Sequence, residues 1–500
     1  MTGGGMADGG AGWRGWAERY CGKAAIMAVF LLCALPGTIL TALLTPPGQS
    51  PDEVTHYARA LGLLHGVILG VRHEDTDPLT GRPEWQTGLK VDTGDFRLAF
   101  GAVTQVDQRP VETFDDWNTI ERSPQDPDLL YVGLPNTATY FPAAYVPGAL
   151  GAAMAKYIFN ETPLHVFITA RIFMAVAFMA VGLGTLYVAA YGEALLVSVL
   201  LLPMTVFLAG TLNQDGLLIA MTCLAASCLT RAARGWRIAG LVVFALVLGA
   251  KPPYILLLGV FALPLFAPGF WRRLTDMALA LLPVLGWIGL ISLLVVVPYG
   301  KAQYFPGPLY AGNHAVLMDH ANAGAQLHIL MERPRRFLAL PYYSLMRDSY
   351  SNFITMIGVL GPLQIVMPHG YYAIWGVCLA LTLLGLLVTR RPYDVPPGMA
   401  LVNFIAVGAA VGVTLWGLYI IFYLDWTNVG LPDIDGIQGR YLLIFLPFAL
   451  FAIPHLQSFP GLRHVRFALP PLLLALPSLG MAVFDIGYIP LKLVLNYYLH

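Results

Sequence analysis

Charge is scarce in this chain: Asp, Glu, Lys and Arg make up 12% of its 500 residues, against 57% apolar residues. Soluble domains carry about 25% charged residues, so this shortage excludes one. Cysteine is sparse as well. Cys21, Cys33, Cys223, Cys228 and Cys378 lie in or beside apolar segments, and no pair in a polar loop suggests a disulfide. No Lys/Arg block resembles a nucleic-acid patch, and acidic and basic residues balance at a net charge of zero. Neither a phosphate-cradling glycine loop of the nucleotide-binding type nor an HExxH pattern occurs, which argues against nucleotide sugars and ATP as direct substrates. The mean hydropathy of +0.66 identifies a multi-span integral membrane protein.

The apolar run from Ala24 to Leu44 follows a Gly-rich tail (residues 1–23) carrying Arg14, Arg19 and Lys23; it is long enough to span and reads as retained rather than cleaved. Further spans are expected at 166–189, 194–211, 216–231, 238–251, 253–268, 276–297, 370–389, 399–422, 441–456 and 467–485, eleven in all, with residues 486–500 as a tail. The expected class is an all-α membrane protein. The pair 238–251 and 253–268 is expected to break at Lys251-Pro252-Pro253, and 140–159, with Pro142 and Pro147, to form a re-entrant or surface helix. Residues 336–366 are expected to enter the membrane and return.

Basic residues cluster at Arg14/Arg19/Lys23, Arg231/Arg234/Arg237, Arg272/Arg273, Arg390/Arg391 and Arg463/Arg466. With eleven spans and an inside N-terminus, every cluster falls on the cytoplasmic side. The first polar loop (45–165, holding Asp52, Asp75, Asp92, Asp107, Asp115 and Asp128), the 298–369 loop and the 423–440 loop then share the outer face.

Candidate chemistry begins at Ser50-Pro51-Asp52-Glu53, where Ser50 is expected to cap a helix, Pro51 to take its first position and Glu53 to reach back to the cap. Asp52, His56 and Arg59 share one helical face, while Val54, Tyr57, Leu61, Leu64 and Ile68 take the other and are expected on lipid. Asp52 at the helix start is expected to be ionised and to orient a hydroxyl, taking its proton late; the alternative is a carboxylate that only stabilises the helix. His56 and Arg59 suit an anionic or hydroxylated ligand, or an interfacial role. Asp215, in a short turn between apolar spans, is expensive there unless it meets water, a metal or a cation, or caps the following helix. Lys251 at a chain break and Arg440, in Gln438-Gly439-Arg440-Tyr441, suit a phosphate, or simply anchor span ends. Asp319, His314, His320 and His328 lack a metal-ligand spacing.

Five ordered motifs, P-D-E-x-x-H-x-x-R-A at 51–60, Y-F-P-x-x-Y-x-P at 140–147, L-P-M then N-Q-D within 202–215, A-K-P-P-Y at 250–254 and Q-G-R-Y-L at 438–442, resemble the bacterial domain-of-unknown-function family 2142. That family is similar in organisation to the C-type glycosyltransferases. The resemblance implies a polyprenyl-phosphate-linked sugar as donor, a glycan or lipid of the cell envelope as acceptor, and a site on the outer face of the bacterial inner membrane. It implies catalytic carboxylates at Asp52 (or Glu53) and Asp215, while residue chemistry supplies the substrate-holding set of His56, Arg59, Lys251, Gln438, Arg440 and Tyr441, with Lys251 and Arg440 on the lipid phosphate. Some such enzymes hold a divalent metal, for which Asp52 and Asp215 are the available positions. A flippase of lipid-linked saccharide and a non-catalytic partner in envelope polysaccharide assembly are the competing readings; a transporter should show repeat symmetry, and none is visible in the sequence.

Overall fold

The computed structural model describes residues 22–76, 83–92, 130–134, 136–263, 269–297, 322–388, 395–459, 461–462 and 469–499. Arg14, Arg19, Asp107, Asp115, Asp128, His314, Asp319, His320, Arg390, Arg391, Arg463 and Arg466 lie outside the described residues.

Seven described helices are long and apolar enough to cross a membrane: Lys23–Leu44, Pro163–Val188, Phe270–Leu294, His369–Val388, Pro397–Asp425, Gly439–Ser458 and Pro471–Tyr497. Each coincides with one of the eleven apolar segments. The remaining four are shorter, and proline accounts for the breaks at Pro203 and after Lys251. Pro203 has no N–H to donate and pushes Leu202 out of helical geometry, dividing 194–211 into Glu193–Leu200 and Pro203–Ala209. The chain then bends by 117° into Gln214–Leu229, so this pair is one broken span or a re-entrant turn. At Lys251 the Arg234–Ala250 helix gives way, as expected, to a 3-10 segment, Pro252–Ala262. Residues 140–159 form short pieces, including the Val146–Ala153 helix, and 336–366 hold Arg335–Arg347 and Ser349–Ile357. The last helix runs on to Tyr497, past the expected boundary at 485, with Pro477 and Pro490 tolerated inside it.

The expectation of an all-α protein needs one amendment. The first polar loop contains a three-stranded antiparallel sheet, β1 (Val71–Thr76), β2 (Pro83–Val91) and β3 (Leu130–Gly133), in the order β1-β2-β3 with Val71 opposite Gly88 and Gly88 opposite Gly133. A Cβ on Gly88 would lie 2.0 Å from the Val132 carbonyl oxygen, so β2 can pair this closely only with glycine there. Leu89, Val91 and Val132 turn inward, and Thr87 donates to the carbonyl of Val295 at 2.7 Å, tying the sheet to the end of the Phe270–Leu294 helix.

Charged side chains gather in two separate groups. Lys23 donates to the carbonyl of Tyr187 at 3.1 Å and Arg231 to that of Val188 at 2.6 Å, while Asp276 is shared by Arg234 and Arg237. These basic residues therefore gather at one end of the bundle. At the opposite end Arg171 reaches the carbonyls of Ala42, Thr45 and Pro46, and the Asp52, Asp215, Lys251 and Arg440 segments meet.

Candidate functional site

The helix after the first span runs Glu53–Leu64, and its start differs from the expected capping box. Asp52 occupies the N-cap position with φ +58, in the left-handed region, which costs a residue with a Cβ about 1–3 kcal/mol and persists where the surroundings fix it. Its carbonyl accepts from the N–H groups of Thr55 and His56, and its side chain makes no capping bond. Ser50 turns its hydroxyl to Thr211, 3.1 Å away, and Pro51 lies before the helix, its carbonyl accepting from the Asn213 amide at 2.7 Å. Glu53 does not reach back. It is fully buried against Arg171, which donates to its two oxygens at 2.8 and 2.6 Å, and it also accepts from the Leu212 N–H at 2.9 Å. A helix-start carboxylate has been drawn inward by a buried arginine, an interaction stronger than a surface cap. Val54, Tyr57 and Leu61, expected on lipid, pack inside the protein.

That displacement presents Asp52 to the site. Its carboxylate lies 2.5 Å from Nη2 of Arg440, whose Nε is 3.7 Å from Asp215; Asp215 is paired at 2.6 Å with Nζ of Lys251. Two carboxylates and two cations from four distant stretches of chain thus form one alternating chain. Tyr441 backs it, with Lys251 4.5 Å and the Arg440 guanidinium 5.2 Å from its ring centre. Local bonds fix each member. Asn213 caps the Gln214–Leu229 helix by accepting from the N–H of Asp215 at 2.8 Å, Tyr254 donates to the carbonyl of Tyr441 at 2.9 Å, and the Phe141 N–H donates to the carbonyl of Gly249, two residues before Lys251.

Arg440 is buried, and both its Nη1 and its Nε lack a hydrogen-bond partner among the described residues. So do the buried amide of Gln214 and Oε1 of Gln438. Buried donors without acceptors are costly, and a ligand is one way to satisfy them. Loss of bulk water works against the Asp52 charge, but the Arg440 guanidinium overrides it and holds this carboxyl below its ordinary range. His56 is buried with Nδ1 2.7 Å from the Tyr145 hydroxyl and its ring stacked near Tyr140. Burial pushes its pKa down to about 4, so it is neutral at pH 7, and burial pushes the Tyr140 and Tyr145 hydroxyls up.

The structure therefore brings together Asp52, Asp215, Lys251, Arg440 and Tyr441, with His56 alongside. Glu53 and Arg59 go elsewhere. Arg59 points its guanidinium at the carbonyls of Val67 (3.2 Å), Ile68 (2.5 Å) and Tyr140 (3.1 Å), fastening the turn after its helix to the Tyr140 segment. Sequence reasoning missed Arg171 and Asn213. An arginine inside an apolar span is itself a signal, and so is the asparagine in N-Q-D. A divalent metal fits poorly: a guanidinium already bonds the Asp52 carboxylate and lies near that of Asp215, and among the described residues no group of three His, Cys, Asp or Glu could hold an ion.

No curated relative and no solved structure matches the chain. The family model described as "Predicted membrane protein (DUF2142)" matches residues 36–451, a stretch that includes every member of the charged chain. The protein belongs to this family of predicted membrane proteins.

Proposed function

We propose that the protein is an integral membrane glycosyltransferase of the C type, moving a sugar from a polyprenyl-phosphate donor to an envelope glycan or lipid acceptor. The observation that carries this reading is the alternating chain Asp52–Arg440–Asp215–Lys251 at one end of the bundle, with Asp52 41% exposed while Arg440 is 1% exposed. Such a site offers an accessible carboxylate beside buried cations, which is what displacement of a phosphate by a hydroxyl requires. Basic helix ends gather at the other end, so the positive-inside tendency supports an outward-facing site and, for a bacterial chain, a periplasmic one in the inner membrane.

In this mechanism the acceptor oxygen forms a bond to the anomeric carbon as the bond from that carbon to the phosphate oxygen breaks. The electron pair leaves with the phosphate and the hydroxyl proton passes to Asp52. While paired with Arg440 the Asp52 carboxylate is a weak base, and the larger contribution is the Arg440 and Lys251 charge facing the departing phosphate. Asp215 keeps Lys251 and Arg440 apart and in place, and Gln438 and His56 are within the same region to receive sugar hydroxyls. The test uses purified protein in vesicles with a radiolabelled polyprenyl-phosphate sugar and a lipid acceptor fraction. Asp52→Asn should lower transfer by about 100-fold or more, the usual scale for a lost general base; unchanged transfer removes Asp52 from the mechanism.

A further inference from the structure

We propose that Asp52 is a gate on Arg440, displaced from the guanidinium by a phosphoester anion that binds in its place. This deepens the proposed function by assigning a regulation to that site, and rests on it only for the source of the phosphate.

The argument turns on which partner of the Asp52–Arg440 pair is able to move. Arg440 is not. Its side chain is 1% exposed. The preceding Gly439 donates its N–H to Thr355 Oγ1 at 2.9 Å and lies so close to the neighbouring helix that a Cβ would be 1.8 Å from the Asn352 carbonyl oxygen. The next residue, Tyr441, is held through its carbonyl by Tyr254. Asp215, the other carboxylate near Arg440, is 7% exposed, paired with Lys251 at 2.6 Å, and anchored at its N–H by Asn213. Asp52 differs in each respect. Its side chain is 41% exposed, it sits at a left-handed junction outside the helix, and its one ion pair among the described residues is the 2.5 Å contact with Arg440.

Arg440 meanwhile keeps two buried donors, Nη1 and Nε, without hydrogen-bond partners. Each bidentate edge of a guanidinium, Nη1/Nη2 or Nε/Nη2, includes the Nη2 that Asp52 holds, so a phosphate can give Arg440 two oxygens only by displacing that carboxylate. As the four charged side chains sum to zero, an added anion is accommodated most readily by releasing the one carboxylate that is free to swing outward. Release has a chemical consequence: Asp52 regains basicity when Arg440 leaves it for the phosphate. The base is armed only once the donor headgroup is seated, which orders donor before acceptor.

The experiment measures binding and needs no turnover. Native protein, Asp52→Asn, Asp52→Ala and Arg440→Gln, each in nanodiscs, are titrated with a polyprenyl monophosphate, with a second series in which inorganic phosphate competes. The gate predicts binding at least tenfold tighter in Asp52→Asn and Asp52→Ala than in native protein, and lost in Arg440→Gln; Arg440→Lys, keeping the charge, controls for folding. Equal or weaker binding after removal of the Asp52 charge overturns the proposal, as does no binding by any variant. Competition by inorganic phosphate identifies the headgroup as sufficient, whereas tighter lipid binding without competition assigns the site to a lipid-borne phosphate. Binding that follows the gate's pattern in protein that never transfers sugar would refute the glycosyltransferase reading and leave the gate standing.

Discussion

Replacing Glu53 by Gln separates structure from chemistry at adjacent carboxylates. Glu53 and Arg171 are 0% and 1% exposed, so neither charge has water to fall back on. Breaking one half of a buried pair costs about 3–5 kcal/mol, chiefly because the surviving charge is stranded. In Glu53→Gln the arginine still has the carbonyls of Ala42, Thr45 and Pro46, and the new amide oxygen can accept from Leu212, placing the loss at about 3 kcal/mol, the lower end of that range. Arg171→Gln strands Glu53 and removes donors from three carbonyls, so its loss should approach about 5 kcal/mol. The double variant Glu53→Leu/Arg171→Met should be less destabilised than the sum of the single ones, since no charge is left unpaired. Denaturant titration in detergent, followed by near-ultraviolet circular dichroism, measures each. Glu53→Gln with native stability and abolished sugar transfer would refute this reasoning and return Glu53 to the chemistry.

Other outcomes follow from the same geometry. His56 has its pKa lowered to about 4 by burial, against 6.5 when unfolded, so its contribution is complete above pH 6.5 and is lost as pH falls toward 4; at pH 5 the native protein should be about 2 kcal/mol less stable than at pH 7 on this account, and His56→Gln should flatten that slope. Gly439→Ala forces the backbone off the Asn352 carbonyl and displaces Arg440, so phosphate binding should drop while the protein still inserts and purifies. Asp485 accepts from the Tyr371 hydroxyl at 2.8 Å and the Trp375 indole at 3.0 Å. Asp485→Leu should therefore cost about 1–3 kcal/mol for each stranded donor, with Asp485→Asn much milder, as read by denaturant titration.

Apolar run length and proline positions made most of the helical architecture legible: all seven long helices lie on expected segments, and the break at Lys251 falls where two prolines follow. The β1–β2–β3 sheet was not, because its strands sit in a loop rich in charge where Gly88 and close backbone approach, rather than alternating apolarity, set the pairing. At the site, residue chemistry pointed to Asp52, Asp215, Lys251 and Arg440 individually. The capping-box reading did not anticipate that Glu53 turns to Arg171, more than a hundred residues away, nor helical spacing that Arg59 turns to carbonyls exposed at a turn, because local pattern carries no information about such distant partners.

The central claim, a lipid-phosphate site built on Arg440 and Lys251 with Asp52 at its mouth, is tested most directly by an experimental structure of the protein bound to a polyprenyl-phosphate sugar. The account predicts the phosphate on Arg440 Nη2 with a second oxygen on Nη1 or Nε, the Asp52 carboxylate swung away from the guanidinium, and the anomeric carbon between them. A phosphate bound elsewhere, with the Asp52–Arg440 contact still closed, would contradict it.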